Sequence, residues 1–283
     1  MELAAHLPLM RFGDEPLSPQ RIQAAVDAAR VCGFAAVSAN DHLVFQTPWL
    51  DGLASLASVV ERSGTLELAT TVALAVVRGP VQLAKALTAI DVLSQGRVVA
   101  GVGPGSSAGD YEMAGIPFEE RWKRFDQALD ALRPLLKGEG EIEPGPYREG
   151  GIPLWVGSWG SPAGLARVAR VADGWLASAY NTTPERFAAG RAALPSGFPS
   201  ALATMWTWVT EDAEEAERVL AGVLAPLLHR DPDELRSQVC VGSARHCADL
   251  LGRYAEAGCG RVYLWPLGDE PRQLELIAAT VER

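Results

Sequence analysis

The sequence predicts an α/β fold, a single (β/α)8 TIM barrel running through residues 1–283. Three observations predict it. Apolar runs rich in β-favouring residues alternate with helical patterns almost from end to end, the pattern of parallel strands joined by helices. The alternation occurs eight times, where a doubly wound open sheet normally has about five to seven strands. The chain is 283 residues long, close to the roughly 250 typical of such barrels.

The elements follow in order along the chain. ELAAHLPL (Glu2–Leu9) is the first predicted strand. Ser18 and Pro19 then open the helix QRIQAAVDAARVCG, because serine suits an N-cap, proline suits the first helical position, and Gly33 suits the end. FAAVSA is the second strand and GLASLASVVERSG its helix. LELATTVAL and PVQLAKALTAIDVLSQG make the third pair, and RVVAGVG and FEERWKRFDQALDALRPLL the fourth. In that fourth helix Trp122, Phe125, Leu129, Leu132 and Leu136 fall at helical spacing and are expected to face the barrel. Glu120 and Arg124 form an i, i+4 pair worth roughly a few tenths of a kcal/mol on a solvated or subunit-facing surface. Lys137–Gly151, rich in Gly, Glu and Pro, is an exposed loop or short hairpin rather than a domain linker, since the alternation resumes after it. IPLWVGS with SPAGLARVARVA is the fifth pair, and GWLASAY with TPERFAAGRAAL the sixth. ALATMWTWVT is the seventh strand, followed by helical segments near Ala213–Leu228 and Ala244–Ala257. RVYLWPL and EPRQLELIAATVER close the series.

Composition narrows the function. There are 25 Lys and Arg against 35 Asp and Glu, a net charge of −10 with no basic run. Such a field repels nucleic acid. No apolar stretch approaches the ~18 residues of a membrane span. The N-terminal stretch MELAAHLPLMRFGDE has neither a basic leader nor a small-residue cleavage site, so a cytoplasmic protein is expected. Cys32, Cys240, Cys247 and Cys259 show no C-x-x-C spacing and are expected to be reduced thiols. No His, Asp or Glu spacing resembles a metal-ligand set.

The glycines of GVGPG, from Gly101, raise the question of a phosphate-binding turn. A dinucleotide fingerprint needs G-x-G-x-x-G running straight into a helix. Here SSAGDYEMAGIP holds two glycines and Pro117 and shows no helical period, so the helix is expected only near Phe118. In a barrel these glycines instead sit where the fourth strand opens onto the C-terminal face, and a backbone without Cβ admits a flat ring or a substrate.

The stretch GRVVAGVGPGSSAGDYEMAGIPFEERWKRFDQALDALRPL resembles the bacterial luciferase-like monooxygenase superfamily, the flavin- and deazaflavin-dependent barrel oxidoreductases. CGFAAVSANDHL, ATTVALAVVRGPVQLAKALTAIDVLSQGR and IPLWVGSWGSPAGLARVARVADGWL agree with it, as does VGSARHCADLLGRYAEAGCGRVYLWP. The resemblance covers residues 20–180 best. It implies a non-covalent flavin-type cofactor, coenzyme F420 or FMN, acting on a small-molecule substrate by hydride transfer or monooxygenation. It places Asp41 and His42 beside that cofactor as catalytic candidates, His42 as the proton donor; an imidazole titrating near neutrality serves as acid or base. His6, on the first strand, is the next best histidine. Thr71–Val72 matches a non-proline cis peptide that forms a bulge beneath the ring, and Gly103 and Ser106 border it. GSWGSPAG offers Ser158, Trp159, Gly160 and Ser161 as an anion site at a helix start, suited to a cofactor phosphate. The family's habit implies a homodimer, and an FMN-dependent member implies a separate flavin reductase.

Two departures matter. Ser106 stands where sugar-phosphate-oxidising deazaflavin enzymes carry a catalytic glutamate, and Gly79 replaces a common histidine. Tyr180–Ala201 has little room for the insertion that covers the site in larger monooxygenases, so the pocket is expected to be open. Two alternatives stand beside the oxidoreductase. One is a flavin-binding barrel without turnover, distinguished by an unreactive reduced cofactor. The other is a barrel enzyme of another class acting on a phosphorylated substrate; its Schiff-base variants are disfavoured, because Lys85, Lys123 and Lys137 all fall in predicted helices rather than at strand ends.

Overall fold

The computed structural model of the chain describes residues 1–12 and 16–281. Eight parallel strands close into a barrel: β1 (Glu2–His6), β2 (Ala36–Ala39), β3 (Glu67–Thr70), β4 (Val98–Gly103), β5 (Leu154–Gly157), β6 (Gly174–Ser178), β7 (Ser200–Val209) and β8 (Arg261–Pro266). Closure comes from β8, which pairs with β7 on one side and with β1 on the other, Glu2 opposite Arg261 and Ala5 opposite Leu264. Two short strands add to the eight: Ala73–Leu74 pairs with the end of β4, and Cys240–Gly242 with the end of β7.

The barrel is filled by one layer to which every strand contributes. Ala4, Ala36, Ala69 and Ala201 leave the room that Val99, Leu176 and the ring of Tyr263 occupy, and the half-buried Trp155 of β5 packs on them. Alternating small and large residues are what a narrow eight-stranded barrel requires. A larger cluster lies between strands and helices.

The helices start where the sequence places their caps. The Ser18 hydroxyl accepts from the Arg21 N–H ahead of the helix Pro19–Val31, and Gly33 follows it at φ 71°. In the helix Arg121–Leu136, Phe125, Leu129, Leu132 and Leu136 are buried as their spacing predicts. Trp122 is not; it is 48 % exposed. It sits in the first turn, and its ring packs beside the guanidinium groups of Arg121 and Arg167. The segment after β7 is α-helical over Ala213–Val219 and Ala225–Leu228, with a wider π turn at Leu220–Leu224 between them. Lys137–Gly151 contains no strand; the N–H groups of Tyr147 and Arg148 donate to the buried carboxylate of Asp91, which ties the loop down. The four cysteines form no disulfide. The last helix spans Glu270–Val281, and its two expected final residues, Glu282 and Arg283, lie outside the described residues.

One correction bears on function. The stretch after GVGPG, expected to be free of helix, contains the helix Ala108–Met113. Its six residues are too few to show a helical period, and its stability comes from tertiary contacts. Asp110 and Tyr111 are buried, and the Tyr111 hydroxyl donates to the Pro104 carbonyl.

Where β3 meets β4 the strands approach unusually closely. Ala69 lies opposite Val99 and Ala73 opposite Val102, so four steps on one strand match three on the other and the chain bulges between Thr70 and Val72. A Cβ on Gly101 would stand 2.0 Å from the Thr70 carbonyl oxygen. Gly101→Ala is therefore expected to destabilise the fold by about 3 kcal/mol, the upper end of overpacking costs. Gly252→Ala, inside the helix Ala244–Glu256 with nothing within 4 Å of the new Cβ, should instead stabilise by roughly 0.5–1 kcal/mol. Urea unfolding midpoints of the two variants check both signs.

Candidate active site

The bulge occupies one side of the C-terminal mouth. The Thr71–Val72 peptide is cis. Val72 leans across the neighbouring strands: a Cβ on Gly103 would lie 2.7 Å from its Cγ2, and one on Gly157 would lie 3.1 Å from its Cγ1. Gly105, at φ 84°, leaves room in the same way for Leu74. The glycines of GVGPG thus make space for the protein's own Thr70, Val72 and Leu74. Their immediate partner is the bulge, where the sequence pointed to a ligand.

His42 follows β2 and is held by a residue that the sequence reading missed. Its Nδ1 lies 2.8 Å from Oδ2 of Asp110, while Oδ1 of Asp110 accepts the backbone N–H groups of Leu43 and Val44 at 2.8 and 3.0 Å. Burial pushes the Asp110 carboxyl up, but the hydrogen bonds from His42 and from the Val44 and Leu43 N–H groups outweigh it and hold it below its ordinary value. An ionised carboxylate here fixes the proton on Nδ1, which makes Nε2 the atom that exchanges one. The His42 side chain is 16 % exposed. A signal for Asp110 does exist in the sequence. Ser107-Ala-Gly-Asp110 has the S-x-x-D spacing of a helix start, although Ser107 makes no side-chain cap here.

Asp41, the other catalytic candidate, is engaged elsewhere. Its carboxylate takes a two-pronged ion pair from Arg78 and the backbone N–H of Leu74. Arg78 also binds Asp51, the N-cap of the helix Gly52–Ser58. Asp41 therefore fastens the chain after the bulge to the chain after β2.

The opposite side of the mouth is aromatic. Trp265 of β8 is stacked between His6 of β1, with ring centres 3.7 Å apart, and Trp206 of β7 at 4.2 Å. Trp49 meets Trp265 edge-on at 5.5 Å, and His42, Phe45 and Trp49 form a mutual cluster at 4.6–4.8 Å. His6 is structural: Nδ1 donates to the Leu7 carbonyl at 2.7 Å and Nε2 accepts the Asn40 N–H at 3.1 Å. Burial pushes its ring down to about 3 despite those two bonds, so it is neutral at ordinary pH. Around this mouth the indole N–H groups of Trp49, Trp206 and Trp265, the hydroxyl groups of Ser38 and Thr71, and Oδ1 of Asn40 are buried without a hydrogen-bond partner among the described residues.

The loop after β5 leads into the helix Pro162–Val171, with Ser161 as its N-cap accepting from the Gly164 N–H at 3.2 Å. The Ser158 hydroxyl accepts from the Gly160 N–H, and the Ser158 carbonyl accepts from the buried indole of Trp175 at 3.0 Å. Gly160 turns at φ 88°. Ser161 and Ser106 are exposed and Trp159 is 59 % exposed, so this rim faces solvent. The structure thus brings Val72, Gly103, His42 and the Ser158–Ser161 loop to one end of the barrel.

Comparison with known proteins shows the family and the fold. The family model for luciferase-like monooxygenases matches residues 6–229. An uncharacterized protein of Mycobacterium tuberculosis is 33% identical over 147 residues, 48% of this chain and 50% of its own length. The F420-dependent glucose-6-phosphate dehydrogenase of Kribbella flavida is 26% identical over 186 residues, 58% of this chain and 54% of that protein. The chain spans about half the length of the curated relatives it matches. Among solved structures, the monooxygenase RslO1 from Streptomyces bottropensis superposes with a TM-score of 0.82 at 19% identity, over 100% of this chain and 99% of that one.

The buried His6 makes the fold acid-sensitive in a defined window. The folded ring takes a proton only near pH 3, whereas the unfolded one does so near 6.5. Its contribution is therefore complete above pH 6.5 and is lost as pH falls toward 3, by at most about 1.4 kcal/mol per pH unit. His6→Gln is expected to be less stable at pH 7.5 but to show a flatter fall between pH 6.5 and 4, as measured by urea unfolding at each pH.

Proposed function

The chain belongs to the luciferase-like monooxygenase family, and from that premise we propose that it is an oxidoreductase using a flavin-type cofactor, coenzyme F420 before FMN, on a small organic substrate. The observation that carries the proposal is His42 held at Nδ1 by a buried, ionised Asp110 at the mouth of the barrel.

The residues present suit such a cofactor. Val72, seated over Gly103 and Gly157, offers an apolar platform for a flat ring. The unpartnered hydroxyl of Thr71 would serve a heterocycle rich in oxygen and nitrogen acceptors. At the other end Ser158, Trp159, Gly160 and Ser161 turn into the start of a ten-residue helix, where backbone N–H groups and the helix dipole favour a phosphate. Gly103 and Ser106 would border the ring. When bound, a deazaflavin supplies two-electron hydride chemistry, and FMN adds the activation of oxygen.

The chain's own share is proton management and exclusion of water. His42 Nε2 takes the hydroxyl proton of an alcohol as its hydride leaves, or returns a proton to a carbonyl oxygen in the reverse direction. Asp110 keeps the imidazole in the tautomer and orientation that make this work, and stabilises it when charged. Asp41 acts at one remove, fixing both segments through Arg78. The F420-dependent relative supports the choice of deazaflavin, but Ser106 brings no carboxylate to this rim, which argues against a sugar phosphate as substrate. A homodimer in the cytoplasm completes the proposal, and for FMN a separate reductase; among the described residues no helix is long and apolar enough to cross a membrane.

Titration of the cofactor-free protein with F420 and, separately, with FMN tests the assignment. Micromolar binding of F420 alone is expected; FMN preference moves the chemistry toward oxygen, and binding of neither refutes the reading. His42→Asn should lower turnover by ~10²–10⁴, the usual worth of a general acid or base, with cofactor affinity within about threefold of the native protein. Light scattering checks the dimer.

A further inference from the structure

We propose that the N-terminal end of the barrel, opposite the mouth that carries His42, binds a free α-amino acid with an apolar side chain, its carboxylate on Arg148 and its ammonium on Glu67. A cavity of about 420 Å³ opens at that end, within the roughly 300–1,000 Å³ of small-molecule sites. Residues at the starts of the strands wall it, among them Glu2 of β1, Glu67 of β3, Trp155 of β5 and Arg261 of β8. Arg148 reaches it from the loop Lys137–Gly151, which is held to Asp91 through its backbone N–H groups.

The charged groups of this cavity are not equivalent. Arg261 is fully engaged: Nε and Nη2 bind Glu2 at 2.8 and 2.6 Å, and Nη1 lies 2.6 Å from Oε2 of Glu67. Asp173 is engaged as well, accepting from Arg133 and from the Leu154 N–H. Arg148 and Glu67 are paired only loosely. Nε of Arg148 donates to the Gly96 carbonyl at 2.8 Å, but its Nη2 stops 3.8 Å from Oε1 of Glu67, too far for a hydrogen bond. Among the described residues, the Nη groups of Arg148 therefore have no acceptor, and Oε1 of Glu67 has no donor. The two side chains are 30 % and 31 % exposed, so their charges are screened less than on a free surface.

A cation and an anion standing side by side, with no hydrogen bond between them to break, match a ligand that carries the complementary pair on one carbon. The guanidinium fork accepts a carboxylate on two N–H groups, and the free oxygen of Glu67 accepts from an ammonium. A ligand with a carboxylate alone would face Glu2 and Glu67, and one with an amine alone would face Arg148 and Arg261. The remaining walls are apolar: Val99, Pro153, Pro199 and the indole of Trp155. That indole lies against Gly174, where a Cβ would stand 2.4 Å from its Cδ2. Aliphatic and aromatic side chains both suit such a surface, whereas a charged one would lack a partner.

Isothermal titration calorimetry of the full chain with L-phenylalanine, L-leucine, phenylacetate and 2-phenylethylamine tests the site. Saturable binding of both amino acids is expected, with phenylacetate and 2-phenylethylamine each at least about tenfold weaker than L-phenylalanine. Arg148→Gln keeps the loop, which is held through its backbone, and should weaken L-phenylalanine by at least about tenfold; Arg148→Lys, which keeps the charge and loses the fork, should weaken it less. His42→Asn, at the other end of the barrel, should leave the affinity within about twofold. Absence of binding by both amino acids, phenylacetate binding as well as L-phenylalanine, or an affinity unmoved by Arg148→Gln overturns the proposal. Loss of binding in His42→Asn overturns it too, by placing the ligand at the C-terminal mouth. Each outcome stands whether or not F420 or FMN binds, so the oxidoreductase reading is tested separately.

Discussion

The fit of the Thr70 carbonyl against Gly101, where a Cβ would not fit, shapes the mouth. Parallel strands at ordinary spacing would pair step for step, but here four steps of one strand match three of the other. The extra length has to leave the ladder, and it leaves toward the C-terminal end, where Val72 comes to lie over two strands that carry no side chains at Gly103 and Gly157. A bulge next to a site redirects a side chain without disturbing the closed hydrogen-bonded wall below it. The barrel therefore keeps its alanine-lined interior and still presents a shaped surface at its rim.

The two halves of the rim are built by opposite means. On the side of β3, β4 and β5 the surface is made by omission, glycine by glycine. On the side of β7, β8, β1 and the loop after β2 it is made by accumulation of rings. His42 stands at the edge of the second half, and two carboxylates fix the loop around it. Asp110 acts on the imidazole and the loop backbone directly, and Asp41 acts through Arg78. Both are buried charges with all their obvious partners supplied, which is the condition under which such groups are tolerated.

The alternation of strand and helix was legible because each unit is long enough to display its period, from Glu2–His6 to Arg261–Pro266. That His42 and the Ser158 loop lie at one end of the barrel was legible from the strand ends, whereas the cis Thr71–Val72 peptide came from the family resemblance alone. Asp110 was not, since a six-residue helix is too short for periodicity and its carboxylate matters only through a residue 68 positions away. The aromatic wall was illegible for a related reason: positions 6, 49, 206 and 265 meet only once the sheet has closed. Trp122 shows the limit of periodicity from the other side. The spacing identified the buried face of its helix correctly, but it did not show that the first-turn ring would pack beside Arg121 and Arg167 and stay half exposed.

The stacked pair of His6 and Trp265 has a consequence for kinetics. An imidazole sealed between a carbonyl and an amide, with its ring flat on an indole, stays uncharged and fixed in orientation. Of the histidines at this mouth, His6 stays neutral at ordinary pH. A rate–pH profile near neutrality therefore carries no ionisation of His6, although this imidazole stands beside the site.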